Sequence, residues 1–350
     1  METVFAQRLK SARIMKGFSM DALCDVMGHM VSKQSLSKYE NAKMLPDSTV
    51  LIALSKALEV SVDYLFRPYQ IEMPSIEFRK KSKLKVTEVD SIKEKVRDRI
   101  ERYFEIENML DINTEFKVDF SNIVVQRAED VKALALRLRS EWNLGEDAIG
   151  NIISILEDNE VKVIELTAST EFDGLSGYVN HSFPIIVLNN NFTAERKRFT
   201  ALHELGHLLL NFDPSLSQNE KESYCNLFAN EMLISGKQFI RQIGSSRKDI
   251  SMLELIPLQK QFGISIDALM YKAKELNVIS EQRYRTYCIK RNGNPGLKEM
   301  ANECRYSNEY SDRFERLIYR AVASEVISYS KAAALLGTPV HELKANLTFV

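Results

Sequence analysis

The 350-residue chain has only four cysteines, Cys24, Cys225, Cys288 and Cys304, and no two of them form a C-x-x-C pair. That scatter excludes a disulfide framework and a thiolate zinc site, and reads as reduced, structural thiols. An excess of one charge is missing too. The 47 Lys and Arg face 48 Asp and Glu, a formal net charge of -1, which argues against wholesale coating of nucleic acid but not against a local basic surface. No apolar run approaches membrane-spanning length. The N-terminus sets Phe5, Leu9 and Ala12 at helical spacing where a secretion signal would carry an unbroken apolar stretch. Low-complexity tracts and internal repeats are absent as well. The expectation is a soluble, unexported, cytoplasmic protein with no membrane partner.

What is present divides the chain. Its length suggests two or three domains. Residues 1–68 read as short helices separated by polar turns, ending in STVLIALSKALEVSVDYLF. Residues 69–124 open with Pro74 and the basic run Arg79, Lys80, Lys81, Lys83 and Lys85. An amphipathic helix follows, with Ile92, Val96, Ile100, Tyr103 and Phe104 at helical spacing, expected to space or dimerise the domains. Residues 125–245 give helices within 128–158, then strands in VKVIEL, GLSGYV and PIIVLN. Two more helices follow, the first with Thr193 at its cap and Asp213-Pro214 as its stop. Residues 246–350 are helical again, with Gly263 and Gly337 each between two apolar-periodic segments. The fold class expected is mainly α with a small sheet, α+β.

The sharpest signal is His203-Glu204-Leu205-Gly206-His207, an H-E-x-x-H pattern inside a segment with helical periodicity. Helical geometry puts both imidazoles on one face, where they can share a Zn2+ ion. Glu204 then stands beside the water such a site activates and can take its proton. A catalytic zinc needs a third protein ligand, for which Glu220, Glu222 and Glu231 compete. On their helix Cys225, Phe228, Ala229, Met232 and Leu233 form the buried stripe. A count of about 100° per residue puts Glu222 near its edge and the other two on the far side. Glu222 is therefore taken as the third ligand, and Asn226, one turn on, as a group orienting a ligand histidine. The strand containing Gly177 and Tyr178 is expected to offer a free edge to an extended substrate, with Tyr178 and His181 as candidate oxyanion stabilisers.

A second constellation lies near the N-terminus. GFSMDALCDVMG followed by VSKQSLSKYENAKMLP has the cadence of a helix, a turn and a second helix. Ala22, Leu23, Val26, Val31, Leu36 and Tyr39 are read as core. Ser32, Lys33, Gln34, Ser37 and Lys38 are left for the major groove, where Lys suits guanine or phosphate, Gln suits adenine and Ser suits either. From Met1 to Arg67 there are 9 Lys and Arg against 7 Asp and Glu, a surplus of +2. Affinity for an operator in double-stranded DNA is thus expected to rest on a homodimer spanning two half-sites.

These motifs resemble two known families. Residues 1–68 resemble the Xre/Cro phage-repressor-like domains, with the recognition helix at Ser32 to Tyr39. Met20 stands where that family often has a phosphate-contacting Gln, Ala42 where it usually has a turn Gly, and Gly28-His29-Met30 lengthens the turn. Through GLSGYV, PIIVLNN, ALHELGHLLL and the E-x-x-C-N-x-F-A segment from Glu222, residues 125–240 resemble the ImmA/IrrE metallopeptidases, which usually have Ala at Cys225. That resemblance implies a thermolysin-like core, zinc held by His203, His207 and Glu222, Glu204 as the catalytic group, and cleavage of a repressor in mobile-element control or stress response. The expected function is a DNA-binding regulator whose zinc endopeptidase cleaves a regulatory protein or itself. The rival is a repressor or antitoxin-like regulator that uses the same fold only to sense or bind a partner.

Overall fold

The structure is a computed structural model that describes residues 2–69, 71 and 84–347. Pro74 and the basic run from Arg79 to Lys83 lie outside the described residues. The architecture is mainly helical with two small sheets. Among the described residues no helix is long and apolar enough to cross a membrane. Contacts group the chain differently from the four segments of the sequence reading. One compact unit comprises Met1–Thr114, Val179–His181 and Asp312–Val350, the other Glu115–Tyr178 and Ser182–Ser311. Motifs and charge shifts marked the four segments, whereas shared apolar cores define the two units.

In the first unit, helices Met20–Val26, Lys33–Glu40, Ser48–Leu58 and Val62–Phe66 start at Ser19, Ser32, Asp47 and Ser61. Each of these side chains accepts a backbone N–H of the first turn, a cap worth about 1 kcal/mol. With helix Glu2–Met15 they enclose Phe5, Leu9, Ala12, Leu23, Leu36, Leu54 and Leu58. Val26 is a correction: it is 54% exposed, and Cys24 and Met27 are buried beside Leu23 instead. The inward arc of this two-turn helix is centred between Leu23 and Met27, and Val26 falls roughly 80° from that centre, on the side away from Cys24.

Helix Val86–Met109 corrects a second expectation. Its apolar stripe, Ile92, Val96, Ile100, Tyr103 and Ile106, is buried inside this unit rather than left free to space or dimerise. Arg8 secures it to the N-terminal helices, donating to Glu101 Oε2 at 2.7 Å, Arg67 O at 2.7 Å and Pro68 O at 2.9 Å. Arg67 in turn faces Asp98 and Glu105. Helix Arg313–Ala323 and its successors cover the other end with Phe314, Ile318 and Ala321 against Tyr103 and Ile106.

The turn after helix Lys33–Glu40 shows what the missing glycine costs. Ala42 sits at φ 53°, in the left-handed region. The Lys43 N–H closes back on Lys38 O at 2.9 Å, the six-to-one bond of a helix end that favours Gly at the preceding position. Ala42→Gly is expected to stabilise the unit by about 1 kcal/mol, read as a higher urea midpoint at unchanged slope; a lower midpoint would contradict the strain. The turn between the two helices is closed by Gly28 at φ 62° and His29 at φ 57°.

In the second unit, strands β1 (Val124–Val125), β2 (Lys162–Leu166), β3 (Gly174–Val179), β4 (Phe183–Asn189) and β5 (Asn211–Phe212) form two sheets. β1 pairs in parallel with β5. The larger sheet has the order β2-β4-β3, with β2 parallel to β4 and Val163 opposite Ile186. β4 is buried almost throughout, as the unbroken apolar run of a central strand should be. β3 joins it through a short hairpin and is an edge. Helix Ala194–Leu209, the H-E-x-x-H helix, packs on this sheet, and helix Gln218–Leu233 packs against that helix in turn, around Leu188, Leu202, Leu205, Cys225, Phe228 and Met232. Thr193 occupies the cap position but makes no side-chain cap bond. The helix ends at Leu209, before Asp213-Pro214, because the chain leaves it to form β5.

At the start of this helix the charged residues Glu195, Lys197 and Arg198 are all buried. Each has a partner: Gln259 for Glu195, Glu165 for Lys197 and Glu309 for Arg198. Gly263, left-handed at φ 59°, has no room for a Cβ because Arg198 Nε would lie 2.5 Å from it. Charged residues so paired fix the start of the H-E-x-x-H helix and therefore the direction in which its histidines point.

Candidate metal centre and DNA-reading face

The spacing of four residues brings the two imidazoles together at the open face of their helix. His203 Nε2 and His207 Nε2 are 3.1 Å apart. Glu222 Oε2 lies 3.3 Å from the first and 3.5 Å from the second. Donors on a tetrahedral ion with bonds of about 2.0–2.1 Å stand roughly 3.4 Å apart along each edge. The three atoms therefore form one face of such a tetrahedron before any ion is considered. They are the His/Cys/Asp/Glu cluster with metal-holding geometry among the described residues. The adjacent histidines hold the Glu222 carboxyl far below the usual carboxylate range, His203 contributing most.

Neighbouring side chains orient the donors. Asn226 Oδ1 is 2.8 Å from His203 Nδ1. When an ion takes Nε2, the proton is on Nδ1 and the amide oxygen of Asn226 accepts it. Cys225 Sγ is 3.2 Å from His207 Nδ1, a contact the sequence did not suggest. Gln218 Nε2 donates to the other Glu222 oxygen at 2.9 Å. The helices approach closely because Gly206 faces Cys225, where a Cβ would meet Cys225 Cα at 3.4 Å.

The competing carboxylates are committed elsewhere. Glu220 closes the capping box at Ser217, accepting Ser217 Oγ at 2.6 Å. Glu231 lies on the side away from the histidines as expected, but it is buried rather than solvated. It pairs with Lys272 at 2.7 Å and accepts the Gly236 N–H at 2.8 Å.

Glu204 is set by β3. Residues two apart along a strand face the same way, and here Gly174, Ser176 and Tyr178 all meet the H-E-x-x-H helix. Ser176 Oγ donates to Glu204 Oε2 at 2.7 Å. Tyr178 OH donates to Leu208 O at 3.1 Å. Gly174 permits the approach, since a Cβ there would lie 2.7 Å from Thr200 Cγ2 and 2.9 Å from Val187 O. Gly177 falls on the alternate face. Ser176 was overlooked in GLSGYV, although its even spacing from Gly174 and Tyr178 was the available signal. The oxyanion expectation for Tyr178 fares less well: its hydroxyl is engaged by Leu208 O, and burial raises its pKa. His181 is an exposed turn residue at φ 61°, outside the donor cluster.

On the N-terminal unit, Lys33, Gln34 and Lys38 are exposed along one side of helix Lys33–Glu40. Lys33 Nζ pairs with Asp21 at 2.6 Å. Ser32 spends its oxygen on the cap, accepting from Ser35 N at 3.1 Å. Ser37 is half-buried, with Asn41 Nδ2 donating to its carbonyl oxygen at 2.7 Å.

Comparison with known proteins bears on both regions. Residues 9–65 match the helix-turn-helix family, and residues 156–274 match the peptidase M78 family, described as an IrrE N-terminal-like domain. Over 64 residues the chain is 39% identical to an uncharacterised HTH-type transcriptional regulator, YonR, derived from the SPbeta prophage of Bacillus subtilis strain 168. That match covers 18% of this chain and 57% of the relative. The chain thus carries an Xre-type helix-turn-helix region at its N-terminus and an IrrE/ImmA-like region that contains His203, His207 and Glu222.

Proposed function

We propose that this chain is a DNA-binding transcriptional regulator with a zinc-dependent endopeptidase, which cuts a regulatory protein such as a repressor, or itself. The observation that carries the peptidase half is the triangle of His203 Nε2, His207 Nε2 and Glu222 Oε2, with sides of 3.1, 3.3 and 3.5 Å. Nitrogen and carboxylate donors at this spacing suit Zn2+, and three protein ligands leave a fourth position open, the pattern of catalytic sites. The ion, when bound, supplies Lewis acidity to a water and to the scissile carbonyl.

The chain's own residues do the rest. Glu204 takes the proton of the attacking water and returns it to the leaving amine. Ser176 holds the carboxylate in place for both transfers. The free edge of β3, at Gly177 and Tyr178, receives the substrate as an added strand. At the other end of the chain, Lys33, Gln34 and Lys38 read the major groove, with Ser32 and Ser37 at its margin. The family of the N-terminal region supports that assignment, and the regulator it resembles supports a role in transcription.

The test is incubation of the purified full chain with candidate repressors, and alone, with zinc present. Discrete fragments are expected, abolished by a chelator and restored by added zinc. Fragments that form equally with chelator would remove the metal from the mechanism. A chain that binds zinc and DNA yet never cleaves would be a sensing module instead.

A further inference from the structure

A cavity of about 340 Å³ opens directly beside the donor triangle, with Glu222 and Asn226 in its wall. Helical spacing explains why it is there. Phe199 lies one turn before His203 on the H-E-x-x-H helix. On the partner helix Asn219, Ser223 and Asn230 follow the same face as Glu222 and Asn226. Tyr271, from helix Ile266–Glu275, completes the lining opposite them. At the low end of the size range of ligand clefts, it has room for one side chain.

We propose that this cavity is the specificity pocket of the hydrolytic site, and that it takes an uncharged substrate side chain with a hydrogen-bonding end, glutamine or tyrosine. The assignment rests on the peptidase reading above. Phe199 and Tyr271 offer flat apolar walls. Asn219, Ser223 and Asn230 offer amide and hydroxyl groups. Asn230 is 5% exposed, and its Nδ2 donates to Ala268 O at 3.2 Å. Asn219 and Ser223 are exposed at the cavity, so their amide and hydroxyl groups can pair with the amide of a glutamine or the hydroxyl of a tyrosine. A charged side chain is refused because it would enter without a counter-ion. Glu222 is the one carboxylate in the lining, and its Oε2 is committed to the two histidines.

Peptide hydroxamates test the pocket without requiring cleavage, because the hydroxamate anchors on the ion while one adjacent side chain is varied. With zinc-loaded full chain, the glutamine and tyrosine compounds are expected to bind at least about tenfold tighter than the lysine and glutamate compounds. Asn219→Glu, an exposed position in the first turn where an acid suits the helix, should raise lysine-compound affinity about tenfold with zinc content unchanged. Tyr271→Ala should erase the preference for tyrosine. Equal affinities in wild type, or an order untouched by both substitutions, would overturn the pocket while leaving the metal centre standing. Selective binding without hydrolysis of any peptide would support the pocket and sink the peptidase reading.

Discussion

Glu204→Gln is expected to slow peptide hydrolysis by about 10²–10⁴-fold, the range for loss of a general acid–base group, while zinc content stays at the wild-type level. The separation follows from geometry. Glu204 is not among the three donors. The amide oxygen of a glutamine can still accept the Ser176 hydroxyl that now reaches Glu204 Oε2 at 2.7 Å. Position is retained and only the ability to take a proton is lost, so kcat should fall at nearly constant KM. An unaltered rate would remove Glu204 from the chemistry and, with it, the hydrolytic role of the motif.

The second large effect belongs to the other unit. Replacing Lys33 and Gln34 together by alanine is expected to abolish discrimination between an operator and random DNA. Each good contact to a base edge is worth about 1–3 kcal/mol, so two together amount to roughly 100-fold or more. The fold should be indifferent, because both side chains are exposed and neither belongs to the core around Leu23, Leu36 and Leu54. Lys33 gives up only a surface pair with Asp21, and such pairs are worth about 0–1 kcal/mol. The measurement is the ratio of affinities for an in vitro selected operator and a scrambled duplex at one fixed salt concentration. An unchanged ratio would overturn the recognition-helix assignment, and peptidase activity should be the same in both proteins.

The readable parts of this sequence were those in which local spacing alone decides geometry. Two histidines four apart must share a helix face, and Glu222 and Asn226 follow from counting along the next helix. Leu36 and Tyr39 point inward for the same reason. What escaped was set by partners far along the chain. The burial of Glu195, Lys197 and Arg198 depends on Gln259, Glu165 and Glu309, which arrive from elsewhere to pair with them. Glu231 looks like a surface acid until Lys272 covers it. The long helix from Val86 reads as a spacer because nothing local announces Arg8 donating to Glu101. Ser176 and Cys225 were hidden differently, since a hydroxyl and a thiol carry no motif of their own and gain a role only from what they touch.

The central claim is that His203, His207 and Glu222 hold one ion. Elemental analysis of the full chain, purified without chelator and compared with Glu222→Ala, tests it most directly. About one zinc per wild-type chain is expected, with the variant losing most of it, because two imidazoles without a carboxylate do not complete the three-ligand set. Wild-type protein that stays metal-free even after zinc is added would contradict the account and leave a DNA-binding protein without an enzyme.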